Sequence, residues 1–167
     1  MKLYVNEKLF SLHDKLYVMD EEGNNLYEIS SKVLSIGSKI TVSDMAGNKV
    51  AYIEQELFHL LNHYKIYIGE ELVCTIAKKF KLFKNNYELD NGYRIDGNFM
   101  ALNFDIYEGE KKIAEIRRKF FSIGDKYEID ILEDDKKDFI LAIIAVISKD
   151  INKDQNAAAV SSSNGSN

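Results

Sequence analysis

The spacing of hydrophobic and polar residues is the same in four segments of the chain. Each segment begins with an isoleucine, and the positions four, seven, eleven and thirteen residues later are hydrophobic in every copy. A turn-forming residue stands nine positions after each leading isoleucine. This internal repeat predicts four β-hairpins, each made of a strand, a tight turn and a second strand. The leading isoleucines are Ile29, Ile53, Ile76 and Ile116, and the turn formers are Ser38, Asn62, Asn85 and Asp125.

Two further regions of the chain predict additional strands. Residues 3–20 alternate between hydrophobic and polar positions around a predicted turn at His13 and Asp14. An insertion before the last repeat contains turn signals at 90–92 and 96–98. Many short strands joined by turns are typical of a sandwich or a closed barrel, and a barrel removes the edges that such strands would expose. We therefore predict a mainly β fold, a closed antiparallel β-barrel.

The apolar run at 138–149 is the exception to the strand pattern. Acidic residues precede it and Lys149 closes it, the order of charges that a helix dipole favours. Its length favours a helix, with a buried β-strand as the alternative because isoleucine and valine dominate. A helix that is apolar on every side must be buried on every side, so we expect it inside the barrel. Residues 1–151 then form the barrel domain, and residues 152–167 a disordered polar tail.

Composition and charge narrow the classes of partner and of location. A chain of 167 residues with 46% hydrophobic content supports one globular domain. The net charge of −5 argues against nucleic acid as a partner, and binding to an anionic membrane would need a local basic patch. The single cysteine, Cys74, suits a reducing compartment. No export signal or run of about 20 apolar residues is visible, so we expect a cytoplasmic protein.

Several short segments carry a likeness to a known family: 8–12 (KLFSL), 20–24 (DEEGN), 33–37 (VLSIG), the basic pairs after Ile76 and Ile116, and 141–147 (LAIIAVI). Together they resemble the LURP-one-related family of the tubby C-terminal-like superfamily, including its bacterial members, over residues 1 to about 151. The resemblance implies a barrel of about twelve strands around a central hydrophobic helix, and it implies no catalytic residues. Tubby proteins bind phosphoinositides and the related phospholipid scramblases act at membranes, so the resemblance suggests an anionic lipid as ligand.

A polar pair follows the leading isoleucine of every repeat, and in the last two repeats both of its members are basic. The first member of each pair has the parity of the inward residues, so we expect a β-bulge or a bend there, because burying an unpaired charge is costly. If the last two hairpins are neighbours, these four residues can converge on a phosphate. The alternative is a set of solvated charges paired with local carboxylates. The candidate anion or lipid ligands are Lys78, Lys79, Arg118 and Lys119.

No catalytic residue, metal site or cofactor is predicted. His59 and His63 have a helical ligand spacing, but the repeat places them across a turn and no third ligand is evident. Cys74 aligns with Ala51 and Ala114 in two other copies of the repeat, which predicts a small buried side chain. We therefore expect a non-enzymatic binding or scaffold domain for an anionic ligand such as a phospholipid head group, cytoplasmic and peripheral at the membrane. A protein–protein interaction module with no lipid role is the alternative.

Overall fold

Twelve strands and one long helix make up the described part of the computed structural model. That part comprises residues 1–6, 15–33, 37–57, 60–81, 84–99, 101–119 and 126–163, with side chains described except at 33, 80, 81, 84–86 and 152–163. The elements are β1 (Lys2–Asn6), β2 (Lys15–Met19), β3 (Asn25–Val33), β4 (Ser38–Asp44), β5 (Lys49–Glu56), β6 (His63–Ile68), β7 (Glu71–Lys81), β8 (Lys84–Leu89), β9 (Tyr93–Asn98), β10 (Asn103–Glu108), β11 (Lys111–Lys119), β12 (Lys126–Ile131) and α1 (Lys137–Ser163). A short 3-10 turn, Asp134–Lys136, precedes the helix.

The strands form one antiparallel sheet in the order β8-β7-β6-β5-β4-β3-β2-β1-β12-β11-β10-β9. Because β1 pairs with β2 on one side and with β12 on the other, the first and last strands are neighbours in the sheet. The sheet curls into a nearly closed barrel whose two edges are β8 and β9. The predicted mainly β fold, an antiparallel barrel, is confirmed.

Consecutive antiparallel strands place their connections alternately at two ends of the barrel. One end carries the connections 20–24, 45–48, 69–70, 90–92, 109–110 and 132–136, and we call it the turn end. The other carries the connections 7–14, 34–37, 57–62, 82–83, 99–102 and 120–125, and we call it the loop end. The predicted turns at His13–Asp14 and at Asp125 lie outside the described residues. Ser38 and Asn85, which were predicted at turns, belong to strands β4 and β8.

A β-bulge recurs at one position of all four repeats, three residues before the leading isoleucine. In each copy the register shifts between the strand that holds this residue and the strand that precedes it. In the second copy, for example, the shift falls between Val42 and Ser43 of β4. The bulges predicted at the polar pairs are wrong, because Lys78 and Arg118 stand in regular register opposite Tyr87 and Tyr127. The expected cost does not arise at Arg118, because this side chain is exposed although its strand is regular. The bulged residues are Leu26, Val50, Val73 and Ile113.

The helix α1 fills the barrel, which confirms the central hydrophobic helix and excludes the alternative of a buried strand. Every residue from Ile140 to Ile147 is at most 2% exposed, so no side of this segment faces solvent. Phe139 enters at the turn end, where its ring lies 4.8 Å from the ring of Tyr93. Asp150 reaches Tyr64 near the loop end. The helix therefore runs along the barrel from the turn end to the loop end.

The helix continues to Ser163, whereas the sequence predicted a disordered tail from residue 152. Residues 153–159 include lysine, glutamine and three alanines, which favour helix, and extending an existing helix adds one hydrogen bond for each residue ordered. At about 1.5 Å per residue, residues 152–163 add roughly 18 Å of helix beyond Ile151. Residues 164–167 lie outside the described part of the chain.

The insertion between β8 and β11 also differs from its predicted form. Residues 96–98, predicted as a turn, belong to strand β9, and the connection follows at 99–102. Gly97 has a φ of +142° and pairs with Phe104 so closely that an ideal Cβ would lie 2.5 Å from the Phe104 Cα. The glycine is therefore needed for close packing of β9 against β10. The sequence alone does not distinguish this role from that of a turn glycine.

Candidate functional site

The four predicted ligand residues lie on two strands that are not neighbours. Lys78 and Lys79 belong to β7, and Arg118 and Lys119 belong to β11. Strands β8, β9 and β10 stand between them on the shorter way around the barrel. The geometric condition for convergence on a single phosphate is therefore not met.

The four side chains also differ in their surroundings. Lys79 is exposed, with its Nζ 3.0 Å from a carboxylate oxygen of Glu88 on β8. Lys119 is exposed in the same way, with its Nζ 3.3 Å from Glu128 on β12. Arg118 is exposed, whereas Lys78 is only 8% exposed and faces the interior. Lys79 and Lys119 thus match the alternative expectation of solvated charges paired with local carboxylates.

A buried polar cluster joins α1 to the strands just inside the loop end. Asp150 on α1 is 1% exposed. Its Oδ1 accepts hydrogen bonds from the Asn62 side-chain amide at 2.6 Å and from the Tyr64 hydroxyl at 2.7 Å. Its Oδ2 accepts from the Tyr87 hydroxyl at 3.1 Å. Gln55 extends the cluster, because its side-chain amide donates to Asn62 Oδ1 at 3.0 Å.

The sequence contained half of this cluster. Tyr64 and Tyr87 occupy the same column of the repeat, eleven residues after the leading isoleucine, where the first copy has Ile40. Tyrosine stands in this column in three of the four copies, the third being Tyr127, and it signals that the interior becomes polar at that level. Asp150 carried no such signal, because an acidic residue after an apolar run is equally expected on a solvated helix end. Since its carboxylate is already occupied by three donors, the cluster holds α1 at a fixed depth.

The two ends of the barrel carry opposite excesses of charge. At the loop end, the two terminal residues of each strand include eight basic residues and one acidic residue, Glu56. We call the basic ones the basic rim. The described residues of the connections there carry no charged side chain, so basic residues are in excess. The basic rim consists of Lys15, Lys32, Lys39, Lys81, Lys84, Arg118, Lys119 and Lys126.

Much of the basic rim is accessible at the surface. Lys15, Lys32, Lys39, Arg118 and Lys119 are all exposed. At the turn end, the two terminal residues of each strand include five basic and five acidic residues. The connections there are acidic, with one basic residue, Lys136, among their described residues. The net charge of −5 therefore conceals a separation of charge along the barrel axis. The acidic residues in the turn-end connections are Asp20, Glu21, Glu22, Glu70, Asp90, Glu110, Glu133, Asp134 and Asp135.

The remaining candidates for chemistry are structural. Cys74 is 2% exposed, and burial, reinforced by the charge of Asp90, raises the pKa of its thiol to about 12, so it stays protonated at neutral pH. Across the described ranges, no three histidine, cysteine, aspartate or glutamate side chains are grouped to hold a metal ion. His59 lies outside those ranges. Within the part of the chain that the structure describes, no helix combines the length and apolar character needed to cross a bilayer.

Comparison with known proteins decides the family. A family model described as LURP-one-related matches residues 1–148. This chain belongs to the LURP-one-related family. The uncharacterized protein YxjI of Bacillus subtilis is 28% identical to it over 105 residues, which are 62% of this chain and 65% of YxjI. The expected membership and the likeness to a bacterial member are thereby confirmed, and the match spans just under two thirds of the relative's length.

A solved structure of a plant protein shows the same fold. The X-ray structure of a protein from Arabidopsis thaliana superimposes on this chain with a TM-score of 0.61 and 18% sequence identity, over 90% of each chain. At this identity the likeness concerns the fold alone. The twelve-stranded barrel with its single C-terminal helix thus agrees with the tubby-like architecture that the resemblance implied.

Proposed function

We propose that this LURP-one-related domain is a non-enzymatic, cytoplasmic binding module that engages anionic phospholipid head groups at a membrane surface through its loop end. The observation that carries the proposal is the separation of charge: the basic rim at the loop end against the acidic connections at the turn end. A molecule with this distribution is attracted to an anionic surface in one orientation and repelled in the other. The lipid relationship of the wider superfamily points the same way.

The spacing of the basic residues favours a surface over a single small anion. Lys79 stands on β7 two residues before the rim residue Lys81, and it is separated from Lys119 by three strands, so these charges are spread around the barrel. A bilayer offers many head groups, and each lysine or arginine near an anionic membrane contributes about 1 kcal/mol. The ion pairs of these residues with Glu88 and Glu128 are exposed and so worth little, and lipid phosphates can replace the carboxylates at small cost.

The filled interior favours binding over catalysis. Small-molecule active sites are concave and need a cavity to enclose their substrate. Here the space enclosed by the strands is taken by α1, whose residues from Ile140 to Ile147 are at most 2% exposed. The neighbouring polar cluster places its carboxylate, Asp150, against donors from the protein itself. The outer surface and the loop end are therefore the parts available to a ligand.

Sedimentation with liposomes tests the proposal. Liposomes of phosphatidylcholine alone are compared with liposomes that also contain phosphatidylserine or a phosphoinositide, at low and at physiological salt. We expect binding to the anionic liposomes that weakens as salt rises. In the variant with Lys79, Arg118 and Lys119 replaced by alanine, the loss of about 1 kcal/mol per residue predicts an affinity lowered by roughly 100-fold. Lys78 is left unchanged because its buried side chain belongs to the fold.

A matched variant separates a local effect from the loss of net charge. Lys2, Lys49 and Lys111 are exposed at the turn end, and replacing them by alanine removes the same total charge. This variant should bind anionic liposomes like the unmodified protein, apart from a small general effect. Equal losses in both variants, or no binding of the unmodified protein to any anionic liposome, would sink the proposal.

A protein-interaction module is the second candidate, and the sheet edges favour it. Strands β8 and β9 each pair with one neighbour in the described ladders, which leaves one side of each strand for an added strand from a partner. Pull-down with the full chain and with a variant that carries proline at Asp96 in β9 tests this candidate. Capture of a specific partner by the unmodified protein alone supports it, and identical profiles for both proteins count against it.

A further inference from the structure

The connection between β5 and β6 presents apolar side chains to solvent at the loop end. Leu60 is 101% exposed, as accessible as it would be in an unfolded peptide, and Leu57 is 37% exposed. The other large exposed hydrophobic residues in the described ranges are Met1, Met45, Leu72 and Leu132, which lie at or near the turn end and are about half exposed. Leu60 is thus the most exposed large hydrophobic side chain of the described surface, and it stands at the basic end.

The backbone next to Leu60 is held in place by the barrel. Asn62, two residues later, donates its side-chain amide to Asp150 at 2.6 Å. Its backbone carbonyl accepts a hydrogen bond from the Lys78 amide at 2.9 Å. Asn62 is therefore tied to both the central helix and β7. Asn62 therefore fixes the end of the connection that leads into β6, and Leu60 lies two residues from this fixed point.

Basic residues flank this connection on both sides. Strand β4, next to β5, begins with an exposed lysine, Lys39, in its second position. Strand β7, next to β6, carries the exposed Lys79 and ends at Lys81. An apolar tip between cations is complementary to the boundary of an anionic bilayer, where phosphates lie just outside the acyl chains. The acidic turn end is repelled by the same surface, which orients the barrel with Leu60 toward the lipid.

We propose that Leu60, supported by Leu57, inserts into the boundary between head groups and acyl chains of an anionic bilayer when the basic rim docks. The inference rests on the proposed function and adds to it a penetrating side chain and a single orientation of the barrel. Electrostatic attraction brings the loop end to the surface, and removal of the Leu60 side chain from water then strengthens the complex.

Two variants of the full chain test the insertion by affinity. Leu60→Ser should weaken binding to phosphatidylserine liposomes by roughly tenfold at physiological salt, from the lost burial of one leucine side chain. Leu72→Ser, at a residue 47% exposed near the turn end, is the matched control and should bind unchanged. Because Leu60 is fully exposed, Leu60→Ser should melt at the temperature of the unmodified protein, so a loss of binding would not come from unfolding.

A fluorophore at position 60 tests the insertion directly. Cys74→Ala removes the native thiol, a change that Ala51 and Ala114 in the equivalent column indicate is tolerated. An environment-sensitive dye on Leu60→Cys should shift to the blue with anionic liposomes and be quenched by lipids labelled in the upper acyl chain, whereas a dye on Leu72→Cys should not. Salt-sensitive binding that Leu60→Ser leaves unchanged, without a dye shift, overturns the insertion and leaves the proposed function standing. No binding by the unmodified protein overturns both.

Discussion

Replacing Asp150 by alanine would test whether the buried polar cluster holds α1 in the barrel. The carboxylate is 1% exposed and accepts hydrogen bonds from Asn62, Tyr64 and Tyr87. Alanine removes the acceptor and leaves the three donors where water has little access, since Tyr64 is 1% and Tyr87 is 8% exposed. The variant therefore loses the bonds and keeps the cost of having buried the donors.

The expected loss follows from that count. A buried donor left without its acceptor costs about 1–3 kcal/mol, and two of the donors are deeply buried. Two such donors predict a loss of about 4 kcal/mol in the free energy of unfolding. For a domain of this size each kcal/mol lowers Tm by about 2–4 °C, which predicts a fall of roughly 8–16 °C.

Urea unfolding followed by circular dichroism measures the loss, and a double-mutant cycle assigns it. Tyr64→Phe removes one donor, so the Asp150→Ala and Tyr64→Phe losses should not add when combined, with a coupling of about 1–2 kcal/mol. Ser148→Ala is the control on the same helix, because its hydroxyl donates only within the helix, to the Ile144 carbonyl at 2.6 Å. A loss below about 1 kcal/mol for Asp150→Ala, or strict additivity with Tyr64→Phe, would refute this reasoning.

Three further changes probe the rest of the fold. Ile144→Asp places an unpaired charge in the barrel centre at a cost of several kcal/mol and should abolish the native circular dichroism, so a native melting curve would contradict the central helix. Gly97→Ala should lower the free energy of unfolding, measured in urea, by about 2–4 kcal/mol. The control Gly47→Ala should lower it by about 1 kcal/mol, because Gly47 has a φ of +88° but open space where a Cβ would lie. Equal losses would contradict the packing role of Gly97. The side-chain amide of Asn48, then its backbone N–H, lowers the pKa of Asp44 below 3.8, so Asp44 stabilises the fold above that pH and the contribution is lost as the pH falls through the folded pKa. Asp44→Asn should therefore unfold at a lower urea concentration than the unmodified protein at pH 7, and the gap should close as the pH falls below 3.8 and through the folded pKa. A gap independent of pH would contradict this linkage.

The architecture was predictable because the repeated hydrophobic positions are the buried positions of the core. Positions such as Ile53, Ile76 and Ile116 are at most 1% exposed, and a residue that must be buried in every copy leaves a regular hydrophobic pattern. The central helix was predictable for the same reason, since a segment that is apolar on all sides has no solvated side. Burial is thus the property that a single sequence records best.

The details that depend on contacts between distant strands were not predictable. The β-bulges fall at Val50 and Val73, which read as ordinary strand residues, because a bulge is set by the register of the partner strand. Gly97 was predicted in a turn because the sequence alone does not distinguish a glycine needed for close packing of two strands from one needed for a turn. The separation of Lys79 from Lys119 depends on where the inserted strands β9 and β10 enter the sheet, which no local pattern states.

The charge separation escaped the sequence for a related reason. Basic residues such as Lys32 and Lys126 are far apart along the chain, and only the alternation of connections between the two ends brings them to one side. Asp150 was missed because its partners, Tyr64 and Tyr87, belong to hairpins that precede it by many residues. In both cases the arrangement depends on which strands and ends come together in the fold, so it can be recognised only once the strand order is known.

The position of α1 after β12 imposes an order on how the barrel can form during synthesis. Strand β1 pairs with β12, and the helix that fills the interior follows β12, so the sheet has neither its closing partner nor its core while the first eleven strands leave the ribosome. A nascent chain at that stage exposes the inner faces of its hairpins, the surfaces that chaperones recognise and that aggregate. Such a chain reaches its stable form late and nearly all at once, and its long-range pairings make that step slow.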